Sequence, residues 1–271
     1  KSAGEQAATR SLEGESAVIP TAKYIEATVS LLQSSEPSDL VIGIAAATGR
    51  RTIEVLQIGK FSAEKGEPDS YLESVDSRYV YRFKNPAKKR NYGASEDELP
   101  NFSTTCLVQA DDLIEAWKRL KATAEVKGYL AEVATVKKEK GEVAAREEFN
   151  KKWKDSLGAV VEARFSFLPG KLTEKGDRKH PTPKDLRPAY AQLSYVRDVA
   201  KDAQGQPLKG SEILYKGRLL GHYIEGSKAD ETLRRLSSTL SYYGYRVDEK
   251  PTYPDSMSEK QVSVRFYESD K

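Results

Sequence analysis

The chain has 271 residues, 44 Lys+Arg against 41 Asp+Glu, a net charge of +3, and 38% apolar residues. That is enough chain for a real core, in one large domain or two. The longest apolar run, residues 40–47, is too short to cross a bilayer, no basic-then-apolar signal segment opens the sequence, and one cysteine with two histidines excludes both an internal disulfide framework and a Cys/His zinc cluster. The expectation is a soluble, cytoplasmic protein with no metal cofactor.

Residues 1–19 are Ala/Glu/Gly/Ser-rich and read as a flexible linker or truncated upstream segment. A helix over 20–35 follows, with Tyr24, Ala27, Leu31 and Leu32 at helical spacing. Ser38 and Asp39 are candidate caps for the next helix, which runs through LVIGIAAA and is apolar all round, hence buried. Gly49 interrupts it, and TIEVL restarts a helix. Residues 57–62 and 78–84 read as strands; SRYVYRF alternates with a period of two. RFKNPAKKR, residues 82–90, carries five cations and no acid, in a turn-rich segment between strands.

Residues 110–131 and 136–157 are strongly helical, the first capped by Asp111 or Asp112. Residues 164–187 hold seven Lys/Arg against three acids and lead into a helix over 183–203. A further helix is expected over 228–242, and QVSVRFYE alternates as a last short strand. The fold class is therefore α+β, mainly helical, with a small antiparallel sheet or hairpin. The separated basic islands would form one phosphate-binding surface if the fold brings them together.

Several standard sites are absent: no G-x-S-x-G elbow, no G-x-x-x-x-G-K-[ST] loop, no H-E-x-x-H. Four short segments are more telling together. In Ala47-Thr48-Gly49-Arg50-Arg51-Thr52-Ile53-Glu54-Val55-Leu56 a buried helix breaks at glycine, presents arginine and resumes. The second is the basic turn Phe83-Lys84-Asn85-Pro86-Ala87-Lys88-Lys89-Arg90. The third is Pro183-Lys184-Asp185-Leu186-Arg187-Pro188-Ala189-Tyr190, and the fourth is Leu219-Leu220-Gly221-His222 followed by Ser238-Thr239-Leu240-Ser241-Tyr242-Tyr243.

In this order the segments resemble the catalytic motifs of the tyrosine recombinase superfamily. The K-D-L-R-x-x-Y form of the third, with Lys184 where most members have histidine, resembles telomere resolvases (protelomerases) in particular. The resemblance covers roughly residues 23–250. It implies a tyrosine recombinase-like catalytic domain over 20–271 with a helical insertion near 111–160. It also implies six catalytic positions: Arg51, Lys88, Lys184, Arg187, His222 and the nucleophile Tyr242. Lys84 and Lys89 stay open as alternates for the lysine, Tyr243 and Tyr245 for the tyrosine. The interval from His222 to Tyr242 is 20 residues, about twice the family's usual spacing.

Arg50, Lys84, Lys89 and Arg90 are expected DNA contacts. The implied partner is double-stranded DNA with an inverted-repeat site, bound by a homodimer. The implied activity is cleavage through a 3′-phosphotyrosine and resealing of each end as a hairpin. An ordinary site-specific integrase and a catalytically inactive DNA-binding relative are the alternatives. A bacterial or phage-encoded, nucleoid-associated protein is expected. The residue types agree with the chemistry: two guanidinium forks neutralise the phosphate oxygens, a lysine protonates the departing 5′-oxygen, and no metal is required.

Overall fold

The computed structural model describes residues 17–63, 70–73, 75–84, 86, 101–170, 179–199, 212–222 and 244–254. Around one apolar helix it packs the others, with a small sheet against one side. Strand β1 (Ala17–Ile19) leads into α1 (Thr21–Gln33) and α2 (Pro37–Thr48). The α2 run Leu40–Thr48 is buried on every side, as its all-round apolar sequence requires. At Gly43 an added Cβ would lie 2.9 Å from Leu31 Cβ, so α1 and α2 cross at backbone contact. Proline opens α2, and Glu36, not Ser38 or Asp39, holds the cap position. Asp39 instead accepts a hydrogen bond from Ser34 Oγ at 2.9 Å.

After Gly49 the chain resumes not as a regular α-helix but as a π-helical turn, Glu54–Ile58. Then comes an antiparallel sheet of β2 (Lys60–Ser62), β3 (Val80–Lys84) and β4 (Asn101–Thr105), with β3 in the centre. Its period-two pattern turns Phe61, Tyr81, Phe83 and Phe102 into the core. The strands are shorter than the sequence pattern suggests, because Gln57 and Ile58 finish the π-turn and Ser77–Tyr79 form a 3₁₀ turn.

The helical region 110–164 divides differently from expectation. α3 (Ala110–Ala122) starts after Gln109, with Asp111 and Asp112 in its first turn and not at the cap. Thr123 ends α3 and begins α4 (Ala124–Arg164), its hydroxyl accepting from Val126 N. At Gly141, φ 85° and ψ 179°, α4 doubles back. Tyr129 and Trp153 stack edge to face with centroids 5.7 Å apart, whereas a straight helix would separate them by about 36 Å. Gln57 joins both arms, donating to Ala145 O and accepting from Tyr129 Oη.

α5 (Leu186–Asp198) is shorter than the expected 183–203, because the chain before it is a turn in which Asp185 accepts from the backbone and hydroxyl of Thr182. α6 (Glu212–Leu219) follows, and β5 (Tyr245–Val247) pairs in parallel with β1. Asp248 Oδ1 accepts from Thr21 N at 2.9 Å, supplying the α1 cap that Pro20 cannot. Beyond it, Tyr253 donates to Asp198, which pairs with Arg197 inside the core. The segments expected as a basic turn at 87–90, a helix at 228–242 and a strand at 261–268 lie outside the described residues. No described helix is long and apolar enough to cross a membrane.

Candidate active site

The site is built where α2 ends. Thr48 closes the helix by donating to Ile44 O, and Gly49 turns the chain with φ 62°. A side chain at Gly49 would be strained in that conformation, and its Cβ would sit 2.2 Å from Tyr190 Cδ1. Tyr190, the aromatic of the third segment, is fully buried and donates to Thr105 O. It holds α5, the glycine turn and β4 together. Burial pushes its hydroxyl well above the usual tyrosine range.

The glycine turn sends two adjacent arginines in different directions. Arg51 is partly exposed. Its Nη1 donates to Glu54 Oε1 at 2.8 Å, and its backbone N–H to Glu54 Oε2 at 2.8 Å. Arg50 is 3% exposed, donates to Thr48 O and Leu219 O, and stacks over Phe83 and Phe102 at 5.0 and 5.4 Å. The expectation of a surface DNA contact at Arg50 is corrected by this burial: its guanidinium is taken up by carbonyls and rings. Instead it ties the turn to the sheet and to the end of α6.

Arg187, one residue into α5, is 6% exposed. It donates to Gly49 O, and to Leu220 O at 2.8 Å, and its Nη2 lies 3.3 Å from His222 Nε2. A guanidinium can only donate, so this contact is a hydrogen bond in the tautomer that leaves Nε2 free to accept. His222 reaches this place because Gly221, at φ 67°, ends α6 tightly, with His222 N donating to Gly217 O. A Cβ at Gly221 would meet the Phe102 ring at 2.8 Å.

Glu54 lies at the centre, its side chain 1% exposed. Burial pushes its carboxyl up, yet Arg187, Arg51 and Arg50 together hold it below its ordinary value. Arg51 is its ion-pair partner, and Arg187 and Arg50 lie near enough to favour its charged form, so guanidiniums outnumber the carboxylate around it. Sequence reasoning noted Glu54 only as the resumption of a helix. The signal was its i,i+3 spacing from Arg51, which puts both on one helical face.

Of the expected site, Arg187 and His222 meet directly, and Arg51 is linked to them through Glu54, whose carboxyl both arginines influence. Lys184 is exposed on the turn before α5, one helical turn from Arg187, whose N–H donates to Lys184 O at 3.4 Å. Lys84 is exposed at the end of β3. Tyr245 begins β5 and donates to Pro169 O at 2.5 Å, a packing role. Lys88, Lys89, Arg90, Tyr242 and Tyr243 lie outside the described residues.

Residues 16–245 match the family described as telomere resolvase ResT/TelK catalytic domain. Among solved structures, a variant of the protelomerase TelA covalently complexed with substrate DNA has the same fold, with a TM-score of 0.61 and 21% identity over 90% of this chain and 64% of that one. The protelomerase TelK complexed with substrate DNA gives a TM-score of 0.61 and 20% identity over 94% of this chain and 43% of that one. The chain thus spans less than two thirds of either protein's length. Comparison with curated proteins finds no match.

Proposed function

The chain belongs to the telomere resolvase ResT/TelK catalytic-domain family, and from that premise we propose that it breaks and rejoins DNA through a 3′-phosphotyrosyl intermediate, sealing inverted-repeat telomere junctions as hairpin ends. The observation that carries this reading is the contact of Arg187 with His222 beside Glu54, whose carboxylate also holds Arg51.

In this reading a non-bridging phosphate oxygen takes the guanidinium edges of Arg51 and Arg187, and the charge that grows there is met by fixed donors. The Tyr242 phenol oxygen attacks phosphorus and the bond to the 5′-oxygen breaks. Lys88 protonates that leaving oxygen, His222 hydrogen-bonds the scissile phosphate, and the phenolic proton leaves to solvent. Lys184 adds positive charge at the mouth. The phosphodiester energy is kept in the tyrosyl ester, so resealing needs no outside source. Two protomers on one inverted repeat would cut both strands, in a cytoplasmic, nucleoid-associated setting.

The test is a suicide substrate, a nicked inverted-repeat duplex whose cleaved flank diffuses away. A covalent protein–DNA adduct and, on intact duplex, hairpin products are expected. Adduct with strand exchange but no hairpin would favour an ordinary integrase, and no adduct on any duplex would leave a binding relative. Arg187→Lys keeps the charge and loses the fork. The rate of adduct formation should fall by about 10²–10³, as for loss of one oxyanion donor. Noncovalent DNA affinity should change far less, because it is spread over many backbone contacts.

A further inference from the structure

We infer that Trp117 and Lys121, on one face of α3, are positioning residues: they hold the Glu54–Ile58 turn in its π-helical form, and through Glu54 they aim Arg51. The inference rests on the reading of Arg51 as a phosphate ligand and extends it to a neighbouring helix. The π-turn closes where Gly59 N donates to Glu54 O at 2.7 Å, five residues back. Only glycine fits there, because a Cβ at Gly59 would lie 2.4 Å from that same oxygen. The next two carbonyls, of Val55 and Leu56, would take their π donors from Lys60 and Phe61, but those residues have left for β2. Helix α3 supplies donors instead. Trp117 Nε1 donates to Val55 O at 3.1 Å, and Lys121 Nζ donates to Leu56 O. The two side chains stand four residues apart on one helix face, with the ammonium 5.5 Å from the indole centroid.

The competing form of this segment is an ordinary α-helix, in which Ile58 N would donate to Glu54 O. The π form holds one residue more in the turn, and one residue is about 100° of helical rotation. The form taken therefore decides where Glu54 points relative to β2 and the sheet. Arg51 follows Glu54, since its Nη1 and its backbone N–H are both bonded to that carboxylate. Gln57 fixes the far side of the turn to α4, and α3 fixes the carbonyls that directly follow Glu54. Lysines also cap helix ends for stability alone. Here, however, burial pushes the Lys121 ammonium down to about 8, so an apolar side chain would fill the space at lower cost. What the position gains from lysine is the donor, placed where a slip in register would move the carboxylate that holds Arg51.

The experiment follows single-turnover adduct formation on the suicide substrate by the full chain carrying Lys121→Met, Trp117→Phe or Lys121→Arg. Lys121→Met removes the donor and keeps the length. Trp117→Phe removes the indole N–H and keeps a ring against Phe61, 5.5 Å away between centroids. Lys121→Arg keeps a donor. At saturating duplex the first two should slow the adduct by about 10–10², the scale of a misplaced group, with the half-saturating duplex concentration unchanged. Lys121→Arg should restore the rate. A purely structural role would lower the melting temperature of Lys121→Met and leave its adduct rate at the wild-type value, which overturns the proposal. Equal slowing in Lys121→Arg and Lys121→Met overturns it too, and if Lys121→Met does not fold, Trp117→Phe decides. A readout without DNA separates this inference from the proposed chemistry. The Arg51 side chain is 28% exposed, open to phenylglyoxal, and its ion pair with Glu54 slows that reaction. Modification at Arg51, read by peptide mass spectrometry, should be several-fold faster in Lys121→Met and Trp117→Phe than in the wild type. Absence of adduct in the wild type removes the chemistry; the phenylglyoxal rates then decide whether α3 sets Arg51, and equal rates overturn it.

Discussion

Tyr242→Phe is expected to abolish the covalent adduct while leaving the fold and DNA binding intact, because a single hydroxyl is lost. Tyr242 follows Thr239 at the T-x-x-Y spacing, and the glycine two residues later ends the stretch. Gly244 is already tied down, its carbonyl accepting from Ala17 N at 3.0 Å. Tyr245 is committed elsewhere: its hydroxyl is bonded to Pro169 O and its backbone lies in β5. Tyr245→Phe should therefore cost about 1 kcal/mol of stability and keep the adduct. Gel mobility under denaturing conditions, with the suicide substrate, reads all three tyrosine variants. Persistence of the adduct in Tyr242→Phe together with its loss in Tyr243→Phe would shift the nucleophile by one residue.

The second large effect is on stability. Glu54→Gln should destabilise the protein by about 3–5 kcal/mol, the cost of removing one partner from a buried charge cluster. Its carboxylate pairs with Arg51 and is favoured electrostatically by Arg187 and Arg50, and glutamine removes that negative charge from among them. A urea titration should show a lower midpoint with an unchanged slope. The folded-state pKa of Glu54 is depressed, so its contribution is fully present above the unfolded value of about 4.3 and is lost as pH falls through the folded value. Wild type and variant should therefore converge in acid. DNA affinity should not fall, since the carboxylate competes with phosphate for the same guanidiniums. An equal stability of the two proteins at neutral pH would show that the cluster does not hold the pocket.

The sequence carried much of the site because its spacing is local. Arg51 and Glu54 sit three apart, Gly49 and Gly221 stand where positive φ is needed, and the apolar stretch at 40–47 announces a helix buried all round. Arg187 and His222 were reachable by motif order, although their meeting depends on where α5 and α6 pack. What escaped was decided by neighbours far along the chain. Nothing local says which of Arg50 and Arg51 turns inward; Phe83, Phe102 and Leu219 O settle that. The doubling of α4 was hidden because both arms mix charge signs and Gly141 is a single weak signal in a helical composition. The caps expected from Ser38, Asp39, Asp111 and Asp112 were local guesses. The cap on α1 comes from Asp248, 227 positions away.

That last distance also governs when the molecule can be completed. The β1–β5 ladder and the Asp248 cap join opposite ends of the described chain through a few short-range bonds. Closing so long a loop carries an entropy cost of about 5 kcal/mol, which a three-residue ladder does not offset by itself. Contacts of this kind form after the local helices, and on the ribosome they wait for the 244–254 segment to emerge. Gly244 is tied to Ala17 by that closure, its carbonyl accepting from Ala17 N. The helices around Arg187 and Glu54 can thus be in place before the 244–254 segment docks on β1.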